Sequence, residues 1–177
     1  MQPVPEALYD LPELELLDGK PYPKVSPKLT HGLIQGRLVL IVTRCAGERG
    51  AVMTEVRFEP GAVDGTITEL VPDVAFVARE RLSVLRGSAR EKPPFSPDIA
   101  VEVRSPSDNM QLLRSKIARY LSTGSTLVLD VDPATRTVTA HSATGAKEYS
   151  GEDEFRHEAA PWLLFKLTEL FSVLDFR

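Results

Sequence analysis

Two short stretches place a carboxylate where an apolar strand would run. In Pro97-Asp98-Ile99-Ala100-Val101-Glu102-Val103-Arg104, strand alternation puts Ile99, Val101 and Val103 on one face and Asp98, Ala100, Glu102 and Arg104 on the other. A carboxylate in the middle of such a strand must be paired, protonated or bound to a cation, because an isolated buried charge is very costly. A salt bridge to Arg104 or to Arg57 is one way to meet that need. A second acid, Asp73, opens the apolar stretch Val71-Pro72-Asp73-Val74-Ala75-Phe76-Val77. If the two strands are neighbours, roughly 4.8 Å apart, Asp73 meets Glu102 across the sheet. Two carboxylates converging there repel unless a divalent cation holds them, and oxygen-only ligands suit magnesium or manganese. Asp98 lies about 13 Å from Glu102 along the strand, at roughly 3.3 Å per residue, too far to share an ion. It is expected to cap a turn or hold the opening of its strand.

Basic residues that could follow a phosphate backbone are Arg79, Arg81, Arg86, Arg90 and Lys92, then Arg104, Arg114, Lys116 and Arg119. Glu55 faces away from the apolar side of its segment and reads as a solvated edge residue or an auxiliary acid. His31, near a helix start, reads as packed or capping, and His141 and His157 have no partner at metal-ligand spacing. No G-x-S-x-G elbow, phosphate loop or dinucleotide fingerprint occurs, so serine hydrolase, nucleotidase and Rossmann readings lack support.

The elements that must position these residues can be read from periodicity and punctuation. Six prolines before residue 28 make residues 1–29 an extended arm wrapped on the body, with a short edge strand at Leu14–Leu17 closed by Asp18-Gly19. A first helix is expected from Thr30 to Ala46, capped by Thr30 and ended by Gly47, with Ile34, Leu38, Ile41 and Cys45 on its buried stripe. Strands follow at Val52–Phe58, Val71–Val77 and Ile99–Arg104, with a short helix at Glu80–Arg86. A second helix, Ser107–Thr123, is capped by Ser107 or Asp108 and carries Met110, Leu113, Ile117, Tyr120 and Leu121 on its stripe. A strand at Leu127–Val131, a hairpin over Thr135–Tyr149 turning near Gly145, and an apolar tail from Trp162 to Phe171 complete the chain. Helix, three strands, helix and more strands imply an α/β (α+β) fold, a mixed sheet with helices packed on it in one domain of residues 1–177. Its open edges leave room for a homodimer.

Composition narrows the function classes. The chain has 177 residues, 42% of them hydrophobic and 26% charged, which is ordinary globular usage. A single cysteine, Cys45, excludes a disulfide framework within the chain and a cysteine-rich zinc site. Residues Met1 to Gly19 lack the pattern of a secretion signal, and the longest aliphatic run, Leu38–Val42, is far short of the roughly 20 residues that span a bilayer. A cytoplasmic protein with no membrane partner is expected. The net charge of −4 argues against holding nucleic acid by bulk positive charge, though not against meeting a phosphate at a small site.

A Pro-Asp at one strand and an acid-x-basic triplet on the next, between two helices, resemble the PD-(D/E)xK nuclease superfamily. More closely, the chain resembles the Uma-two family of restriction-endonuclease-like proteins. The resemblance is carried by Glu15-Leu16-Leu17-Asp18-Gly19, Ser26-Pro27, His31-Gly32, Pro72 to Val77, Pro97 to Val103, Ser105-Pro106-Ser107-Asp108, Lys116 and Leu167-Thr168-Glu169-Leu170-Phe171. It spans about Leu14 to Phe171 and implies a restriction-endonuclease-like core acting on DNA phosphodiester bonds. It implies that Asp73 and Glu102 hold Mg2+ or Mn2+, with the carbonyl of Val103 as a further ligand. The superfamily carries lysine two residues after the acid, where this chain has Arg104. Arginine stabilises an anion but does not give up its proton at neutral pH. In the family variant the lysine has moved to the following helix, and Lys116 fits that position at the edge of the buried stripe. Arg104, Arg114 and Arg119 are then candidate phosphate contacts. The same fold stripped of its chemistry would serve as a nucleic-acid-binding or protein-assembly module, and an acid pair of Glu102 with Arg104 or Lys116 would be purely structural.

Overall fold

Near its start the chain meets Asp18 and Gly19, both in the left-handed region (φ 52° and 71°), and turns back on itself between β1 (Leu14–Leu17) and β2 (Lys20–Pro23). The computed structural model describes residues 14–23, 28–63, 66–106 and 108–175. The greater part of the proline-rich arm, the Ser26-Pro27 pair and the expected cap Ser107 lie outside the described residues. β1 is not an edge strand as expected, because it lies between β2 and β5 in a four-stranded sheet of order β2-β1-β5-β4, with β4 at Phe58–Val63 and β5 at Thr66–Leu70.

α1 (Leu29–Ala46) begins one residue before expectation, and its cap position is Lys28, whose side chain makes no capping bond. Gly47 ends the helix at φ 54°, its N–H donating to the Thr43 carbonyl. The expected strand Val52–Phe58 is instead two strands. β3 (Gly50–Met53) stops and β4 begins at Phe58, because Glu55 adopts a left-handed conformation (φ 56°) that takes the chain out of extended backbone. β6 (Val74–Ala78) leads into α2 (Arg79–Ser83), which is shorter than the expected helix. β7 (Ile99–Val103) is followed by α3 (Met110–Ser122), capped by Asn109, whose side chain accepts from the N–H groups of Gln111 and Leu112. Asp108, the expected cap, instead accepts from the Ser105 N–H at 2.6 Å.

After α3 come β8 (Leu127–Asp132) and the hairpin of β9 (Thr137–Ser142) and β10 (Gly145–Tyr149). The chain ends with β11 (Glu154–Phe155), β12 (Phe165–Lys166) and α4 (Leu167–Phe171). The main sheet has six strands in the order β10-β9-β8-β7-β6-β3 and is mixed, since β7 and β8 run parallel and the other pairs antiparallel. A parallel pair needs a crossover, and α3 supplies it.

Strand alternation divides the core. Ile99, Val101 and Val103 pack with Leu127, Leu129 and Val131 against Ile34, Leu38 and Ile41 of α1 and against α4. Ala100 and Val128 pack on the other face with Leu113, Ile117 and Tyr120 of α3 and with Leu17 and Leu70. Glu102 alternates onto this second face, between the sheet, α3 and the N-terminal hairpin. Among the described residues no helix is long and apolar enough to cross a membrane.

Candidate active site

β6 and β7 are antiparallel neighbours with Val74 opposite Val101, so the register continued by one residue sets Asp73 opposite Glu102. The encounter expected from the sequence thus occurs, and both carboxylates are buried. Asp73 Oδ2 accepts the Val103 N–H at 2.7 Å, and Oδ1 lies 3.4 Å from His31 Nε2. Pro72 falls opposite Val103 in the continued register and has no N–H to offer its carbonyl. Neither arginine expected to neutralise Glu102 does so. Arg57 pairs with Glu69, and the Arg104 guanidinium grips both oxygens of Asp130 at 2.6 and 2.5 Å and Asp132 at 3.1 Å.

The cation at Glu102 is Lys116. Apolar neighbours Leu113 and Ile117 anchor α3 in the core, and Lys116, on the same side of the helix, is buried with them. Its Nζ lies 2.8 Å from Glu102 Oε2 and 3.0 Å from the Glu15 carboxylate. One helical turn on, the Tyr120 hydroxyl donates to Glu102 Oε1 at 2.8 Å. Glu15 reaches in from β1 and also accepts the Val71 N–H at 2.8 Å. Burial pushes the Glu102 carboxyl up to about 7; Lys116 opposes this, while Asp73 and Glu15 add to it. Burial alone would lower the Lys116 ammonium, but Glu102, Glu15 and Asp73 outweigh it and hold its proton more tightly than usual. Burial, with Glu102 and Glu15 behind it, also raises the Tyr120 hydroxyl, which stays a donor. One ammonium stands among three carboxylates, so negative charge is in excess there.

On the other side of Asp73, α1 and the break between β3 and β4 contribute further groups. Gln35, one turn after His31, donates its Nε2 to Glu55 Oε1 at 2.7 Å and to the Asp73 carbonyl at 2.9 Å. The cleft so formed is lined by Glu15, His31, Asp73, Glu102, Val103 and Lys116. A second hollow, lined by Arg104 and Asp132, shares His31, Ser105 and Asp108 with it.

Of the expected phosphate contacts, Arg104 lines the second hollow but is tied to Asp130 and Asp132, Arg119 pairs with Asp18, and Arg114 is exposed on α3. The basic residues of the connection are engaged locally. Arg79 donates to the Glu48 carbonyl, Arg81 pairs with Asp98 over the Phe95 ring, Arg86 and Arg90 donate to the Leu85 carbonyl, and Lys92 pairs with Glu59. Asp98, besides Arg81, accepts the Ala78 N–H at 2.8 Å and so holds the opening of β7 as expected. Sequence reading assigns no role to Glu15 and takes His31 as packed or capping, whereas its Nε2 lies beside Asp73. A signal for Glu15 is present all the same, since Leu14-Glu15-Leu16-Leu17 repeats the pattern of one acid in an apolar strand that marks Glu102.

A mixed sheet whose adjoining antiparallel strands carry the two acids, followed by a helix that returns a lysine to them, is a restriction-endonuclease-like core. The chain is similar in fold to a crystal structure described as a putative nuclease belonging to DUF820 from Anabaena variabilis ATCC 29413. The TM-score is 0.77 at 22% identity, over 92% of each chain. The model of the Uma2 family, whose description is "Putative restriction endonuclease", matches residues 5–167, and the chain belongs to this family. No curated protein matches it.

Proposed function

We propose that this protein is a metal-dependent endonuclease that hydrolyses DNA phosphodiester bonds, with Asp73, Glu102 and Lys116 as its catalytic residues. The observation that carries the reading is the convergence of these three side chains in one cleft, with Lys116 Nζ 2.8 Å from Glu102. The donor chemistry fits a hard divalent cation, Mg2+ or Mn2+. Asp73 and Glu102 offer carboxylate oxygens, and the Val103 carbonyl faces a proline that cannot donate to it. Such an ion, when bound, lowers the pKa of a coordinated water and offsets charge on the phosphate under attack.

Lys116 is held charged, so its part is that of a hydrogen-bond donor that stabilises developing negative charge, not that of a base. Between Lys116 and Arg104 as the working cation, geometry favours Lys116, because Arg104 is closed onto Asp130 and Asp132. Arg114, exposed on α3, is the phosphate contact we propose, and its contribution should fall with added salt. The outermost strands of the main sheet, β3 and β10, leave room for a homodimer.

Cleavage of duplex DNA in Mg2+ or Mn2+ by wild type, Asp73→Ala and Glu102→Ala tests the reading. Loss of cleavage in both variants supports it, and equal activity in all three points to a contaminating nuclease and overturns it. One observation favours a second reading, a catalytically degenerate nucleic-acid-binding or protein-assembly module. The superfamily's lysine position holds Arg104, locked in ion pairs. Binding of DNA or protein with no divalent cation bound at millimolar concentration would decide for that module.

A further inference from the structure

His31 opens α1, Asp73 precedes β6, and Glu55 occupies the break between β3 and β4, yet all three meet. Among the described residues, each offers a ligand atom, and these atoms lie within 4.8 Å of one another. His31 Nε2 and Asp73 Oδ1 are 3.4 Å apart, against about 3 Å for adjacent ligands of an octahedral ion with bonds of about 2.1 Å.

From this geometry we infer that His31, Glu55 and Asp73 form a mixed nitrogen and oxygen site for a first-row transition dication, taking Mn2+ in preference to Mg2+. The inference deepens the nuclease reading, on which its purpose rests, by adding a cation position beside that of Glu102 with Asp73 shared between them.

The supporting groups hold each ligand in place. The Val103 N–H fixes Asp73 Oδ2 at 2.7 Å, and Oδ1 lies on the His31 side. Gln35 ties Glu55 and the Asp73 backbone together through one amide nitrogen. Such outer contacts orient ligands in metal sites and tune their affinity. Glu55 keeps a left-handed φ of 56°, which turns it out of the strand ladder, and its N–H donates to the Pro72 carbonyl at 3.3 Å, next to Asp73. Glu102 has one oxygen on Lys116 and the other on Tyr120. The imidazole sets the selectivity. Mg2+ prefers oxygen and sheds water reluctantly, whereas later divalent metals accept imidazole beside carboxylates.

The test is pulsed electron paramagnetic resonance of Mn2+ added to the full chain, with affinity from the free-ion signal. Wild type and Glu102→Gln should both show coupling to an imidazole nitrogen, which His31→Asn abolishes. His31→Asn and Glu55→Gln should each weaken Mn2+ binding at least tenfold, and an equal concentration of Mg2+ should not displace the ion. Glu55 is only partly buried, so its variant keeps the test open if His31→Asn unfolds, as circular dichroism would reveal. Absence of nitrogen coupling in wild type, Mn2+ affinity unchanged in Glu55→Gln, or displacement by equal Mg2+ overturns the inference. Failure of the nuclease reading is a separate result, cleavage by Asp73→Ala at the wild-type rate.

Discussion

Glu102 and Asp130 are register partners on β7 and β8, side by side on one face of the sheet, and both are buried. Their circumstances differ sharply. Asp130 is gripped through both oxygens by the planar fork of Arg104, which Asp132 also meets, at a site open enough for water to assist. Hydrogen bonding to Asp130 raises the Arg104 guanidinium despite its partial burial, so this cluster is closed. Glu102 shares one ammonium with Glu15 and stands opposite Asp73, all of them buried, and its carboxyl is driven up to about 7. The same residue types, one strand apart, are a finished ion pair in one place and an excess of negative charge in the other. On the nuclease reading, that excess, not the mere presence of acids, is what a bound cation would answer.

The comparison can be broken first through chemistry. Asp73→Ala should lower duplex cleavage on the order of 10³-fold, read as initial rates in Mn2+ with the fold checked by circular dichroism. The next effect is on stability. Lys116→Met leaves buried carboxylates without their ammonium and should cost about 3–5 kcal/mol in urea unfolding, part of which the double variant with Glu102→Gln recovers.

A smaller effect follows from the Glu102 carboxyl. Its pKa is raised from 4.5 to about 7 in the fold, so between those values the native state binds more protons than the unfolded chain. Its contribution to stability therefore falls as pH rises through that window, and the loss is complete above about 7. The urea midpoint of metal-free protein should fall less steeply over this range in Glu102→Gln than in wild type. The smallest change is expected in the closed cluster. Arg104→Gln should leave cleavage within about threefold and cost about 1–3 kcal/mol, because Asp130 loses its partner. A loss of cleavage as large as that of Asp73→Ala would erase the distinction between the clusters.

The facing of Asp73 and Glu102 was legible because both follow from local signals, an acid in an apolar run and the pleat that fixes its face. Lys116 was legible through the resemblance to the Uma-two family, and helical spacing set it beside Leu113 and Tyr120. Glu15 as its second partner was not, since 101 residues separate them and no local pattern encodes that distance. The division of Val52–Phe58 was missed because alternation continues past Glu55, where a left-handed backbone breaks the strand. β5 went unread although Asp64-Gly65 just before it is a hairpin signal that the sequence carries. Arg104 shows the reverse limit. Its position two residues after Glu102 suggested phosphate binding, while the acids that hold it come from β8, beyond the reach of any motif.

The long span between Glu15 and Lys116 also orders events during synthesis. Loop closure over 101 residues can be rewarded only after both ends exist, and Asp18 waits equally long for Arg119. A ribosome adds Glu15, His31, Glu55, Asp73 and Glu102 before it adds Lys116. An unfinished chain can therefore carry every acidic group of the cleft while lacking its ammonium. On the nuclease reading, the capacity to cut cannot precede the synthesis of Lys116.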